Sequence, residues 1–150
     1  KFDFSCHDFS MEELEKAHKI IELRAYDTVY GIWKYFTVAD EHIDLATQNY
    51  LYIVTLEGYE KMRSYFGTDK VVPIYIEVED GQRLMRAIER ERRQGTPKYE
   101  EMCRRFLADA ADFSEEKLKK AGVETRFVNE DFDTAVQEVV SYIRNDIAAD

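Results

Sequence analysis

The run at 71–109, VVPIYIEVEDGQRLMRAIERERRQGTPKYEEMCRRFLAD, decides how the chain is read. Val71–Val78 is rich in β-branched and aromatic residues and is bounded by Lys70 and by Asp80-Gly81, which predicts a buried strand. The pattern then becomes helical. Leu84 and Ile88 lie four apart on one face, and Arg83, Arg86 and Arg90 line a neighbouring one. Gln94-Gly95-Thr96-Pro97 breaks this helix, and a second follows with Tyr99, Met102, Phe106, Ala110 and Phe113 as its apolar stripe.

Seven of the chain's eleven arginines fall between Arg83 and Arg105. With Lys98, eight cations against Glu89, Glu91, Glu100 and Glu101 give this window +4, which leaves −14 elsewhere in a chain of net charge −10. Arginine presents a planar fork of donors that suits phosphate oxygens. The same spacing also suits solvated ion pairs between the arginines and their own glutamates. The choice of arginine over lysine and the break at Gly95-Thr96-Pro97 favour a hinged anion clamp.

Working outward, Phe2–Phe4 alternates like a strand end. Ser10 caps a short helix, with Glu13 completing a capping box. Lys19–Tyr26 and Trp33–Val38 read as strands around a turn at 27–31, a small meander. Asp40 is expected to cap a helix running to about Gln48. Asn49–Leu56 (NYLYIVTL) reads as a strongly buried strand, followed by a helix over Glu57–Phe66. Gly122 suits a helix C-cap, Val123–Val128 a short strand, and Asp131–Ile147 a closing helix with Phe132, Ala135, Val136, Val139, Val140 and Ile143 inward. Alternation of strand and helix from Asn49 onward predicts a parallel sheet covered on both faces.

A chain of 150 residues is long enough to bury about two-thirds of its unfolded surface. Hydrophobic content of 45% with 35% charge belongs to a globular protein, and no apolar run approaches a membrane span. A net charge of −10 disfavours general nucleic-acid binding. Cys6 and Cys103 make no metal-like pair, and His7, His18 and His42 show no ligand spacing, so a reduced, cytoplasmic setting without a protein-held metal is expected.

Taken together, these segments resemble guanylate kinases, a family of P-loop nucleoside monophosphate kinases. IIELRAYDTVYG (20–31) is similar to the family's guanine-site segment, the arginine window to its mobile lid, and FVNEDFDTAVQEV (127–139) to the segment near the adenine pocket. The resemblance implies a three-layer α/β/α core with a parallel sheet (49–89 and 107–150), a small mixed β lobe for GMP (1–48) and a helical lid (90–106). It implies phosphoryl transfer from ATP to GMP with Mg²⁺, the partners being nucleotides.

By that resemblance Glu22 accepts from guanine N1–H and the exocyclic amine, and Tyr30 donates to the GMP phosphate. Arg90, with Arg92 or Arg93, reaches the ATP phosphates, Arg105 bridges both phosphate groups, and Asn129 lies beside the adenine nucleotide. Each has a plainer reading: Glu22 as an exposed strand-end glutamate, Tyr30 as a turn-flanking aromatic, Arg105 as a pair with Asp109, Asn129 as a strand-end residue bonded to its own backbone. The chain also departs from the family. Phe2 stands where a phosphate-binding tyrosine is usual, Ile32 replaces a serine or threonine, and Thr55 occupies an aspartate position, which puts strict GMP preference in question. No G-x-x-x-x-G-K-[ST] occurs, so the ATP phosphate loop and its strand are expected to precede Lys1, and the 150 residues alone are not expected to be competent. The alternative is an inactive guanylate-kinase-like module that binds a phosphorylated or acidic partner.

Overall fold

The computed structural model describes residues 11–28, 31–39 and 43–147. The chain is mixed α/β and divides into two compact units, Lys1–Val71 and Val72–Asp150. Phe2–Phe4, the Ser10 cap, Tyr30 and Asp40 lie outside the described residues. No described helix is long and apolar enough to cross a membrane.

In the first unit, helix α1 (Met11–Lys16) leads into an antiparallel pair, β1 (Ile20–Thr28) and β2 (Gly31–Val38). The end of α1 is a Schellman turn: Lys19 N–H donates to the Leu14 carbonyl and His18 N–H to that of Glu15, both at 3.0 Å. His18 therefore sits at φ 52°, a left-handed conformation that glycine adopts without cost. His18→Gly is expected to stabilise the protein by about 0.5 kcal/mol, the relief of strain exceeding the added freedom of the unfolded chain. Thermal unfolding measures this, and a lowered midpoint would show that the imidazole contributes packing that outweighs the strain.

The β1–β2 ladder is not regular. Ile20 pairs with Val38, yet Glu22 pairs with Thr37, so β1 carries one extra residue at Ile21. Without this bulge Glu22 would face Phe36. The bulge places a carboxylate opposite a hydroxyl instead. Helix α2 (Leu56–Phe66) starts at Thr55, whose Oγ1 accepts from Gly58 N–H, and buries Leu56, Tyr59 and Met62. These side chains and Leu14 form the core of this unit.

Two expectations for this unit fail. No helix forms over 43–48. Asp44 instead accepts from Ala46 N–H at 3.0 Å and from the Thr47 hydroxyl at 2.6 Å, a local turn that competes with helix hydrogen bonding. Those bonds also hold the Asp44 carboxyl below its ordinary value. Nor is 49–56 a buried strand: it pairs with no strand among the described residues, and Leu51 and Ile53 are 81% and 97% exposed. An apolar run reports what a segment would gain by burial, and supplies neither ladder partner nor cover.

The second unit is a long helical crossover between two parallel strands. Strand β3 (Tyr75–Glu77) is followed by helices α3 (Asp80–Arg92), α4 (Tyr99–Asp112) and α5 (Glu115–Lys120), then by β4 (Arg126–Val128) beside β3. Helix α6 (Phe132–Tyr142) and a π-turn at Ile143–Ile147 close the unit. The expected strand over 71–78 is thus trimmed to three residues. Pro73 has no N–H to give a ladder. The break before α4 and the cap at Gly122 (φ 74°) are as the sequence reads, with Val123 N–H reaching the Leu118 carbonyl at 3.0 Å.

The core here is Met102, Leu118, Ala121, Val123, Phe127 and Ala135. Of the stripe expected on α4, Met102 is buried, Phe106 and Phe113 are half-buried, and Tyr99 and Ala110 are exposed. Phe106 lies under the Arg83 guanidinium at 4.3 Å, and Phe113 stacks on Tyr75 at 5.9 Å. Of the stripe expected on the closing helix, Ala135 is buried and Val139 and Ile143 are half-buried, while Phe132, Val136 and Val140 are exposed. Those three form a row about 80° around the helix from Ala135 and Val139.

Candidate functional site

In β1, Glu22 and Arg24 are two apart and share a face, and the bulge brings Thr37 onto it from β2. Glu22 is 2% exposed, which contradicts the plainer reading of an exposed strand-end glutamate. A buried carboxylate must be paired. Its Oε1 accepts from the Thr37 hydroxyl and from Arg24 Nη2, each at 3.0 Å. Its Oε2 lies 2.8 Å from Arg24 Nε, without the alignment of a hydrogen bond. Thr37 has one proton and gives it to Glu22, so the Tyr52 hydroxyl, 2.8 Å away, must donate to Thr37. The result is a directed relay, Tyr52 to Thr37 to Glu22.

Helix α2 meets this carboxylate with its first turn. A methyl group added at Gly58 would stand 3.4 Å from Glu22 Oε2, 3.5 Å from Thr55 Oγ1 and 3.2 Å from Val54 Cβ. Glycine at this position lets the helix start approach the carboxylate, where the positive end of the helix dipole favours negative charge. Glu22 and Thr55 are therefore neighbours, although the Thr55 hydroxyl is already used by Gly58 N–H. A cavity of about 410 Å³ opens beside β1, lined by Glu15, His18, Glu22, Lys61 and Tyr65 among others.

The second unit holds the arginines, and they divide by what holds them. Arg83 pairs with Asp80 at 3.1 Å and covers Phe106. Arg86 donates to the backbone carbonyls of Asn129 (2.9 Å) and Glu130 (3.2 Å), tying α3 to the end of β4. Asn129 is thus brought beside Arg86, and its own N–H is spent on the Glu77 carbonyl at 2.8 Å. Arg93 caps α3, 4.0 Å from Glu89. Arg104 and Arg105 both donate to Glu101 at 2.8 Å, so the partner of Arg105 is Glu101 and not Asp109. Among the described residues nothing engages the Arg90 guanidinium. Across the break, Glu91 accepts from Lys98 N–H at 3.0 Å and from Gln94 at 3.2 Å, so the turn is held by α3's own side chain.

Two arginines on one carboxylate depress its titration. Hydrogen bonds from Arg104 and then Arg105 lower the Glu101 carboxyl to about 2. A depressed carboxylate contributes above its unfolded value and loses that contribution as pH falls through the folded one. The clamp on Arg105 is therefore expected to persist at pH 4 and to release near pH 2. Carboxyl chemical shifts followed against pH test this, and a Glu101 midpoint near 4.3 would mean the pair is not held in solution.

Of the residues singled out in the sequence, Glu22 and Thr55 come together in the first unit, while Arg90, Arg93, Arg105 and Asn129 belong to the second. Phe2 and Tyr30 lie outside the described residues. Sequence reasoning missed Arg24 and Tyr52. Arg24 was legible as the cation two residues from Glu22 on one strand face; Tyr52 was not, because it arrives from an unpaired segment. Comparison with family models, with curated proteins and with solved structures gives no match.

Proposed function

We propose that the chain carries the acceptor-nucleotide site and the arginine lid of a guanylate-kinase-like enzyme, which transfers the γ-phosphoryl of ATP to GMP. The observation that carries this reading is the buried Glu22 carboxylate, set by a strand bulge beside a cavity and within reach of a helix start. Guanine offers N1–H and an exocyclic amine side by side, and a carboxylate accepts from both. The cavity volume falls within the roughly 300–1,000 Å³ of small-molecule sites. By the family resemblance Tyr30 would donate to the GMP phosphate, and Phe2 has no hydroxyl to give.

In-line phosphoryl transfer asks a protein for charge neutralisation and positioning, not for a nucleophile. Arg90, uncommitted on α3, and Arg105, held by Glu101, suit that role, with Arg93 and Asn129 on the ATP side. Among the described residues no group of three His, Cys, Asp or Glu side chains is placed to hold a metal ion. By the family resemblance Mg²⁺ would be held by the nucleotide phosphates. The finer fold proposed is a three-layer, P-loop-type core whose phosphate-loop strand comes from outside the 150 residues. The bare apolar side chains of Leu51 and Ile53 support that reading. A free, exposed Cys103 fits a reducing, cytoplasmic compartment.

A coupled assay of ADP release from ATP and GMP tests the proposal. Turnover is expected from a chain extended upstream of Lys1 by the phosphate-loop segment, and not from the 150 residues alone, which should still bind GMP. GMP binding without turnover in the extended protein would identify a binding module instead. Equal affinity of the 150-residue chain for GMP and AMP would overturn the site assignment.

A further inference from the structure

Arg24 occupies the same edge of Glu22 that a guanine would need. Its Nη2 stands 3.0 Å from Oε1 and its Nε 2.8 Å from Oε2. These are two N–H groups on one side of a planar cation, side by side, the donor pair that guanine presents through N1–H and its exocyclic amine. We infer that Arg24 is an internal surrogate for the base: it closes the Glu22 carboxylate in the empty site, and a guanine nucleotide must displace it. This rests on the reading of Glu22 as the guanine acceptor.

Three observations favour an exchangeable contact over a fixed structural pair. The Arg24 side chain is the outer partner, 18% exposed where that of Glu22 is 0%. The contact is also incomplete: Oε2 accepts no aligned hydrogen bond, so a ligand donor at that oxygen gains what Arg24 does not supply. And the carboxylate does not depend on Arg24 alone. Thr37 donates to it from β2, and the first turn of α2 lies against Oε2, so the charge stays supported when the cation swings away.

The consequence is a lowered apparent affinity for GMP. Adenine presents an acceptor at N1 beside its amino group, so AMP cannot supply both donors to the carboxylate whether or not Arg24 is in place. A site closed in about nine-tenths of empty molecules binds GMP about tenfold more weakly than an open one. Arg24 is therefore a positioning residue that lowers apparent GMP affinity by acting through Glu22.

Calorimetric titration of GMP, AMP and methylguanidinium into the 150-residue chain and its Arg24→Ala and Arg24→Lys variants tests this. Both variants remove the two parallel donors, and Arg24→Lys retains a cation in case the alanine variant does not fold. GMP is expected to bind about tenfold more tightly to the variants, with AMP unchanged. Methylguanidinium is expected to bind Arg24→Ala alone, refilling the vacated fork. GMP affinity that is unchanged or weaker in both variants overturns the inference. If GMP binds no form while methylguanidinium binds Arg24→Ala, the guanine reading falls and the exchangeable fork on Glu22 stands. Binding of neither compound to any form removes both.

Discussion

Glu22→Gln is expected to weaken GMP binding about ten- to a hundredfold and to leave AMP binding nearly unchanged. The substitution keeps shape and replaces one acceptor oxygen with an amide donor. If the amide nitrogen takes the Oε2 place, it faces a guanine N–H, and two buried donors oppose each other. If it takes the Oε1 place, it meets Arg24 Nη2, which needs an acceptor there, and the Thr37 hydroxyl must reverse its bond to accept. Either orientation costs roughly 1–3 kcal/mol, which the affinity ratio converts to that range. Thermal unfolding on the same samples separates recognition from folding, because the substitution also deprives Arg24 of its counter-charge. Equal losses for GMP and AMP would mean that Glu22 holds β1 to α2 and reads no base.

How much of this was legible in the sequence depends on whether the signal was local. The two helices of the arginine window, the break between them and the left-handed cap at Gly122 follow from capping residues and periodicity, and they are present. The segment 49–56 was misread because burial is a property of the surroundings, and an eight-residue apolar run carries no information about what will cover it. The helix expected over 40–48 lost at its described end to one aspartate, whose bonds to Ala46 and Thr47 satisfy the backbone more cheaply than a further turn. On α6 the period was right and the width was wrong: the apolar arc spans two rows, and one of them is exposed.

The site was legible in the same proportion. That Glu22 would be important came from its likeness to a family segment, and its burial came only with the bulge, which no periodicity rule locates. A strand read as regular would have put Phe36 across from it. The arginine window was ambiguous in sequence between a phosphate clamp and self-paired surface charges, and self-pairing is what Arg83, Arg104 and Arg105 show. Arg83, Arg86 and Arg104 are committed to Asp80, to backbone carbonyls and to Glu101. What charge patterning could not show is which arginines would be left over.

Arg90 and Arg92 are without a partner among the described residues, and the removal of Arg90 carries the largest expected effect on catalysis. Arg90 lies one turn beyond Arg86 on α3, and Arg86 is fixed by the Asn129 and Glu130 carbonyls, so the helix that presents Arg90 is anchored while its guanidinium is not. A cation positioned on a rigid element and free of internal partners can neutralise charge that develops in a transition state without first breaking a bond. In the extended protein, Arg90→Ala is expected to reduce turnover about a hundredfold or more. Because the side chain is exposed, unfolding should change by no more than about 0.5 kcal/mol. Arg90→Lys keeps the charge and loses the fork, and should recover part of the rate. Arg86→Ala should behave in the opposite way, lowering stability because two backbone carbonyls lose their donor. Steady-state kinetics and denaturant unfolding on the three variants give a clear contrast. An Arg90→Ala protein that turns over normally, or that loses rate only in proportion to its loss of fold, would place Arg90 among the solvated surface charges.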